Sequence, residues 1–236
     1  MTTIWSQQID PGSVLPEYPR PQFRRENWIC LNGPWDYTFT KKSKRPERPD
    51  GQILVPFSPE CLRSGVSRQL RPGEYLWYFR FVYLNAVPEN QRLLLHFGAV
   101  DQRCSVWWHG HLLGKNENGY LSFSFDVTDY LQEGNNTLWV RVQDDSDSGS
   151  QSRGKQSFKP HGMFYTAQSG IWQTVWMEWV PENRIESLKI TPLYDESSVR
   201  LEITLTQPQN MEIRMLWNRD SYCHYVEKED FPTGQS

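Results

Sequence analysis

Residues 76–84 read LWYFRFVYL, and the period of that stretch decides the fold class. Trp77, Phe79, Phe81 and Tyr83 fall on one side of an extended chain, and Tyr78, Arg80 and Val82 on the other, because successive side chains of a strand point to opposite faces. The same period runs outward from it. Leu93, Leu95 and Phe97 alternate with Arg92 and His96, and Cys104, Val106 and Trp108 oppose Ser105 and Trp107. His109-Gly110 then turns the chain into His111–Gly114. Further on, Leu121, Phe123 and Phe125 are separated by Ser122 and Ser124, and Leu138, Val140 and Val142 by Trp139 and Arg141. Val175, Met177 and Trp179 oppose Thr174, Trp176 and Glu178. Each segment presents one apolar face, as antiparallel strands packed sheet on sheet do. The best helix candidate, Asp126–Leu131, allows a single turn. An all-β sandwich is expected.

The segments between the strands are read from their punctuation. Tyr18–Phe23 (YPRPQF) is an extended arm, since proline fixes φ and removes donors. Asn32-Gly33-Pro34 marks a turn feeding the strand that begins near Trp35. Lys41–Asp50 (KKSKRPERPD) reads as a solvated loop; a patch for a polyanion is the sharper alternative, weakened because no aromatic residues interleave with it. Asn135-Asn136-Thr137 has the form of a glycosylation acceptor but reads as a turn. Asp144–Phe158 is polar, Gly/Ser-rich and long, which makes it either disordered or a functional loop. The pattern changes again at Val180–Asn183. Beyond it Val199, Leu201, Ile203 and Leu205 alternate with polar residues, and Met211, Ile213 and Met215 begin a further strand. Two domains are therefore expected, 1–182 and 183–236. The second has only 54 residues (236 minus 182), against roughly 100 for an immunoglobulin-like sandwich.

Composition excludes several classes of function. With 25 Lys+Arg against 28 Asp+Glu the net charge is -3, and no nucleic-acid partner is expected. No apolar run approaches the roughly 20 residues of a membrane span, so no membrane partner is expected. The start lacks a basic and an apolar signal region. Cys30, Cys61, Cys104 and Cys223 are scattered, fitting neither a zinc site nor a disulfide framework, and a cytoplasmic setting is expected. The five His show no metal-ligand spacing. Asp144, Asp145 and Asp147 carry the oxygen donors that calcium takes, but not its ordered spacing with a closing Glu, and read as residues of a solvated loop. No metal and no cofactor are expected. Aromatics are 14% of the chain, with 11 Trp; such rings suit sandwich cores and also sugar-stacking faces.

Three blocks, in this order and spacing, carry a resemblance: YPRPQF…W…LNGPWDYTF at 18–39, GAVDQRCSVWWHG…LWVRV at 98–142, and MFYTAQSGIWQTVWME at 163–178. Together they resemble the N-terminal sugar-binding jelly roll of family 2 glycoside hydrolases, which include β-galactosidases, β-glucuronidases and β-mannosidases. The resemblance implies a jelly-roll β-sandwich with an extended N-terminal arm, then the first strands of an immunoglobulin-like sandwich. It also implies that the family's two catalytic glutamates, which act by a retaining mechanism, lie on a barrel that would follow this chain. No catalytic residue is then expected here.

In the family, loops of this jelly roll reach the rim of the sugar pocket. In several members an aspartate six positions before the Gly of the SGI block touches the sugar; here that position is Phe164, so the contact does not carry over. The polar rim candidates are Arg153, Lys155 and Gln156 in the long loop, with Tyr165 and Gln168 beside the SGI block. Three functions stay open: a non-catalytic module that braces the barrel and bounds a carbohydrate substrate, a free-standing lectin-like module, and a structural domain that makes a homo-oligomer.

Overall fold

The structure is a computed structural model and describes residues 8–85 and 88–208. The chain divides into two compact units, residues 1–180 and 181–236.

The first unit is all-β. A six-stranded sheet is ordered β3-β2-β4-β10-β7-β8. Its strands are β2 (Gly33–Thr40), β3 (Gly51–Val55), β4 (Tyr75–Leu84), β7 (Arg103–Trp108), β8 (His111–Asn116) and β10 (Gly134–Gln143), each antiparallel to its neighbours. A four-stranded sheet is ordered β1-β14-β5-β9, from β1 (Trp28–Cys30), β5 (Gln91–Phe97), β9 (Phe123–Asp126) and β14 (Val175–Pro181). One hydrophobic core joins them. Leu76, Tyr78, Val82, Leu138, Val140, Val106 and Trp108 come from the larger sheet, and Leu93, Leu95, Phe97, Val175 and Met177 from the smaller. Each fully buried side chain of this size removes apolar surface worth about 1.5–3 kcal/mol. The expected single helical turn is a 3-10 turn at Thr128–Tyr130.

LWYFRFVYL alternates as its sequence predicts, except that Trp77 on the outer face is covered by Trp107 and Trp139 and is 3% exposed. Leu76, Tyr78, Val82 and Leu84 enter the core, while Phe81 and Tyr83 are 59% and 66% exposed. Arg80, on the inner side, is satisfied by the carbonyls of Leu31 (2.7 Å) and Asn32 (3.1 Å).

The LNGPW turn works as a joint. Buried Asn32 donates from Nδ2 to Val14 O (3.1 Å) and Thr174 Oγ1 (3.2 Å), and its Oδ1 accepts from Val175 N (3.1 Å). Gly33 has φ +111, a region closed to most side chains. Trp35 then donates from Nε1 to Leu31 O at 2.7 Å.

The YPRPQF arm is held by charge. Glu178 on β14 is fully buried. It accepts from Tyr18 OH (2.7 Å), Arg20 Nη2 (2.5 Å) and Arg25 Nη1 (2.8 Å), and His96 Nε2 lies 2.9 Å away. His96 and Arg20 both pack on the Trp176 ring, at 4.8 and 5.4 Å.

Two expectations need correction and one needs an addition. The 41–50 loop is exposed as expected, except at half-buried Pro46, but it is also tied down. Arg141 donates to Ser43 O (3.1 Å), Thr38 donates to Arg48 O (3.0 Å), and the Arg45 guanidinium lies 5.2 Å from the Trp139 ring. Sequence could not show this, because the aromatic residues under the loop come from β4, β7 and β10. Residues 135–137 are not a turn but part of β10. The Asn136 side chain is fully buried, bonded to Gln132 O (2.7 Å), Gly134 O (3.1 Å) and His109 Nε2 (3.1 Å). Nor is Asp144 a solvated loop residue: it is 3% exposed and accepts from Ser146 N at 2.7 Å.

In the second unit, β15 (Ile185–Leu193) and β16 (Ser198–Leu205) form an antiparallel hairpin. The alternation of residues 199–205 marks β16, whereas β15, interrupted by Pro192, carries no clean alternation. The strand expected at 211–215 lies outside the described residues.

Candidate functional site

Two short ladders bring the rim candidates together. β6 (Val100–Asp101) runs antiparallel to β13 (Gly170–Ile171), placing Asp101 opposite Gly170 of the SGI block. β11 (Gln156–Ser157) runs parallel to β12 (Tyr165–Thr166), placing Gln156 beside Tyr165. The SGI glycine has a physical reason. Its φ is +80, and a Cβ there would run into the hydroxyl of Tyr78, which accepts from Ile171 N at 3.2 Å.

Gln156 is the centre of the cluster. Its Nε2 donates to Asp101 Oδ2 (3.2 Å) and reaches Tyr120 OH (3.5 Å), while its Oε1 accepts from Gln168 N (2.6 Å). Trp172 donates from Nε1 to Gly119 O at 2.7 Å and packs edge-on against Tyr120. Gln102, with its amide oriented so that both ends are satisfied, donates to Ser152 O (3.2 Å) and Asp101 Oδ1 (3.1 Å). The segments around residues 101, 119, 156 and 170 are thereby locked to one another.

The candidates then part ways. Lys155 and Gln168 are exposed, and Tyr165 is 69% exposed; these side chains are free to meet a ligand. Arg153 turns back into its own loop and donates to Asp147 O at 2.9 Å. Phe164 stacks on His161 at 5.1 Å. The long loop is pinned by its own acids. Asp147 Oδ2 accepts from Ser157 Oγ (2.9 Å) and Phe158 N (3.1 Å), and Asp145 pairs with Arg103 (2.5 Å).

Beneath this surface lie three carboxyl groups, of which sequence reasoning missed Asp101 and Glu60. Burial raises the Asp101 carboxyl to about 7, with the neighbouring Asp144 charge adding to the rise and the Gln156 hydrogen bond opposing it. Burial also raises Asp144 and Glu60. Glu60 accepts from Ser169 Oγ (2.7 Å) and Ser169 N (3.1 Å), which ties it to the SGI block. Asp101 thus holds a proton near neutrality and can act as donor or acceptor. Its only sequence signal is one acidic residue inside an apolar block, GAVDQ. Among the described residues no group of three or more His, Cys, Asp or Glu has an arrangement fit to hold a metal. No helix among them is long and apolar enough to cross a membrane.

Comparisons with known proteins agree with this architecture. Residues 68–180 match the family described as glycosyl hydrolase 2 galactose-binding domain-like. A β-galactosidase large subunit from Latilactobacillus sakei is 26% identical over 209 residues, covering 87% of this chain and 30% of that protein. A β-galactosidase from Clostridium acetobutylicum is 28% identical over 169 residues, covering 70% of this chain and 17% of that protein. A β-glucuronidase structure from Faecalibacterium prausnitzii superposes with a TM-score of 0.60 at 24% identity, covering 81% of this chain and 37% of that one; at that identity the likeness is one of fold. The chain spans less than a third of the length of the curated relatives it matches.

Proposed function

We propose, from the match of residues 68–180 to the family described as glycosyl hydrolase 2 galactose-binding domain-like, that this chain is the non-catalytic N-terminal module of a family 2 glycoside hydrolase. The whole enzyme would hydrolyse β-galactoside or β-glucuronide bonds with two carboxylates by a retaining mechanism. This module braces the catalytic barrel and shapes the rim of the sugar pocket. In the same reading, residues 183–236 open an immunoglobulin-like domain. The observation that carries the proposal is Gln156, which binds three separate segments through Asp101, Tyr120 and Gln168. So fixed, the rim can present Lys155, Tyr165 and the Gln168 side chain without ordering them anew at each binding event. Cys30, Cys61 and Cys104 are free thiols, which suits a reducing cytoplasm.

The test uses the protein in which this chain is followed by a barrel. Lys155→Ala and Tyr165→Ala are expected to raise KM for nitrophenyl β-galactoside or β-glucuronide several-fold, with kcat within about twofold, since a rim contact binds ground state and transition state alike. Unchanged KM in both variants would remove the rim role. Turnover by the purified chain alone would remove the non-catalytic one.

A further inference from the structure

The outer face of the six-stranded sheet carries an aromatic groove that shares no residue with the rim cluster. Trp77 and Trp107 stack at 5.4 Å, and Trp139 packs edge-on to Trp77 at 6.2 Å and against Phe79 at 4.4 Å. The 41–50 loop crosses this face and leaves two cavities. One, of about 250 Å³, is lined by Ser43, Arg45, Trp77, Trp107, Gly110 and Trp139. The other, of about 240 Å³, shares Trp77 and Trp139 and adds Arg48 with the two carboxylates Asp36 and Glu47, so the cation that selects an acidic ring stands at the first cavity. Each is slightly smaller than the roughly 300 Å³ at which drug-sized pockets begin, a scale suited to one sugar ring. Two of them side by side suit consecutive rings of a chain.

Charge identifies the occupant. Residues 41–50 carry five cations (Lys41, Lys42, Lys44, Arg45, Arg48) against Glu47 and Asp50, on a chain whose net charge is -3. Arg45 is exposed and sits over Trp139, and Arg141 lies 5.4 Å from the Trp107 ring. The aromatic residues missing between these cations in the sequence are supplied by the sheet beneath. The loop is also fixed in advance. Asp50 donates from N to Tyr37 O (2.8 Å) and accepts from Phe39 N (2.9 Å), besides the bonds at Ser43 and Arg48. We propose that this groove is a second carbohydrate site, which takes an acidic polysaccharide of carboxylate-bearing pyranose rings. Half-buried Trp107 and Trp139 border the cavities and meet the CH side of the rings, while Arg45 and the exposed lysines of the loop meet the carboxylates. Two short cavities under a ten-residue basic loop favour this ligand over single-stranded nucleic acid, which binds along extended basic tracks.

The experiment is affinity electrophoresis of the intact chain through gels containing polygalacturonate or neutral galactan, with tryptophan fluorescence titration by a defined oligogalacturonate. Retardation by polygalacturonate alone is expected, with a fluorescence change that saturates. The charge reversal Arg45→Glu, at an exposed position, is expected to weaken binding at least tenfold with unchanged thermal unfolding. Four results would overturn the proposal: no retardation, equal retardation by galactan, an Arg45→Glu variant that binds like the parent, or tighter binding of oligothymidylate than of oligogalacturonate.

Discussion

The hydroxyl of Tyr18 donates at 2.7 Å to the carboxylate of Glu178, 160 residues later in the chain. That bond, with Arg20 and Arg25, closes the N-terminal arm onto β14 around a fully buried charge. Replacing Glu178 by Gln leaves two arginines facing a neutral amide, and breaking a buried pair from one side costs about 3–5 kcal/mol. Tyr18→Phe removes the bond to Glu178 and the one its hydroxyl accepts from Arg20 Nη2 (3.1 Å), and should cost at least about 1.5–3 kcal/mol. Urea unfolding at pH 7 checks both.

The same site sets a low-pH limit. Its hydrogen bonds and cations hold the Glu178 carboxyl down at about 2, against its burial. A depressed carboxyl stabilises the fold above its unfolded pKa, about 4.3, and loses that stabilisation as pH falls toward the folded value. His96, held below its usual range by burial, adds a separate loss that begins higher, as pH falls below about 6.5 and the unfolded chain takes up that proton more readily. Between pH 4.5 and 2.5 the midpoint of unfolding should fall more steeply in the parent than in Glu178→Gln. Parallel pH curves would contradict this.

Asp101 acts in the opposite sense. Its carboxyl is raised to about 7, so the native state keeps a proton that the unfolded chain releases near pH 4. Its contribution is full below that value and declines as pH rises to about 7, at up to about 1.4 kcal/mol per pH unit. Asp101→Asn removes the decline. The variant should gain stability relative to the parent between pH 5 and pH 8, by roughly 2 kcal/mol. A constant difference between the two proteins across that range would disprove it.

Gly170→Ala should destabilise the first unit by more than about 2 kcal/mol, since a positive φ alone costs of order 1 kcal/mol and the new methyl also meets the Tyr78 hydroxyl. Tyr78→Phe in the same chain opens that space while leaving Ile171 N without its acceptor. The two changes should therefore be non-additive by more than about 0.5 kcal/mol in a double-mutant cycle. Thermal unfolding of the four proteins measures it.

A chain ended at Glu182 should fold with the thermal midpoint of the full chain within a few degrees, because the core residues of the first unit all precede that point. Failure to fold would place the two units in one core.

Period alone determined the all-β class. Alternation at 138–142 survives in the structure residue by residue, since each strand has one face in the core and a side-chain period of two leaves no other register; at 76–84 and 104–108 it survives except that Trp77 and Ser105 are buried on the outer face as well. The LNGPW and SGI blocks were legible as punctuation, because Gly33 and Gly170 occupy backbone conformations that few other residues take. Their partners were not legible: Asn32 meets Thr174, and Gly170 meets Tyr78. For the same reason the sequence could list Lys155, Gln156, Tyr165 and Gln168 as polar loop residues but could not find Asp101 or Tyr120. Which side chains share a site depends on ladders between strands far apart in the chain. The clearest case is the loop at 41–50, read as charge without aromatic residues. Its tryptophans stand at 77, 107 and 139, and only the strand order β4-β10-β7 brings them beneath Arg45.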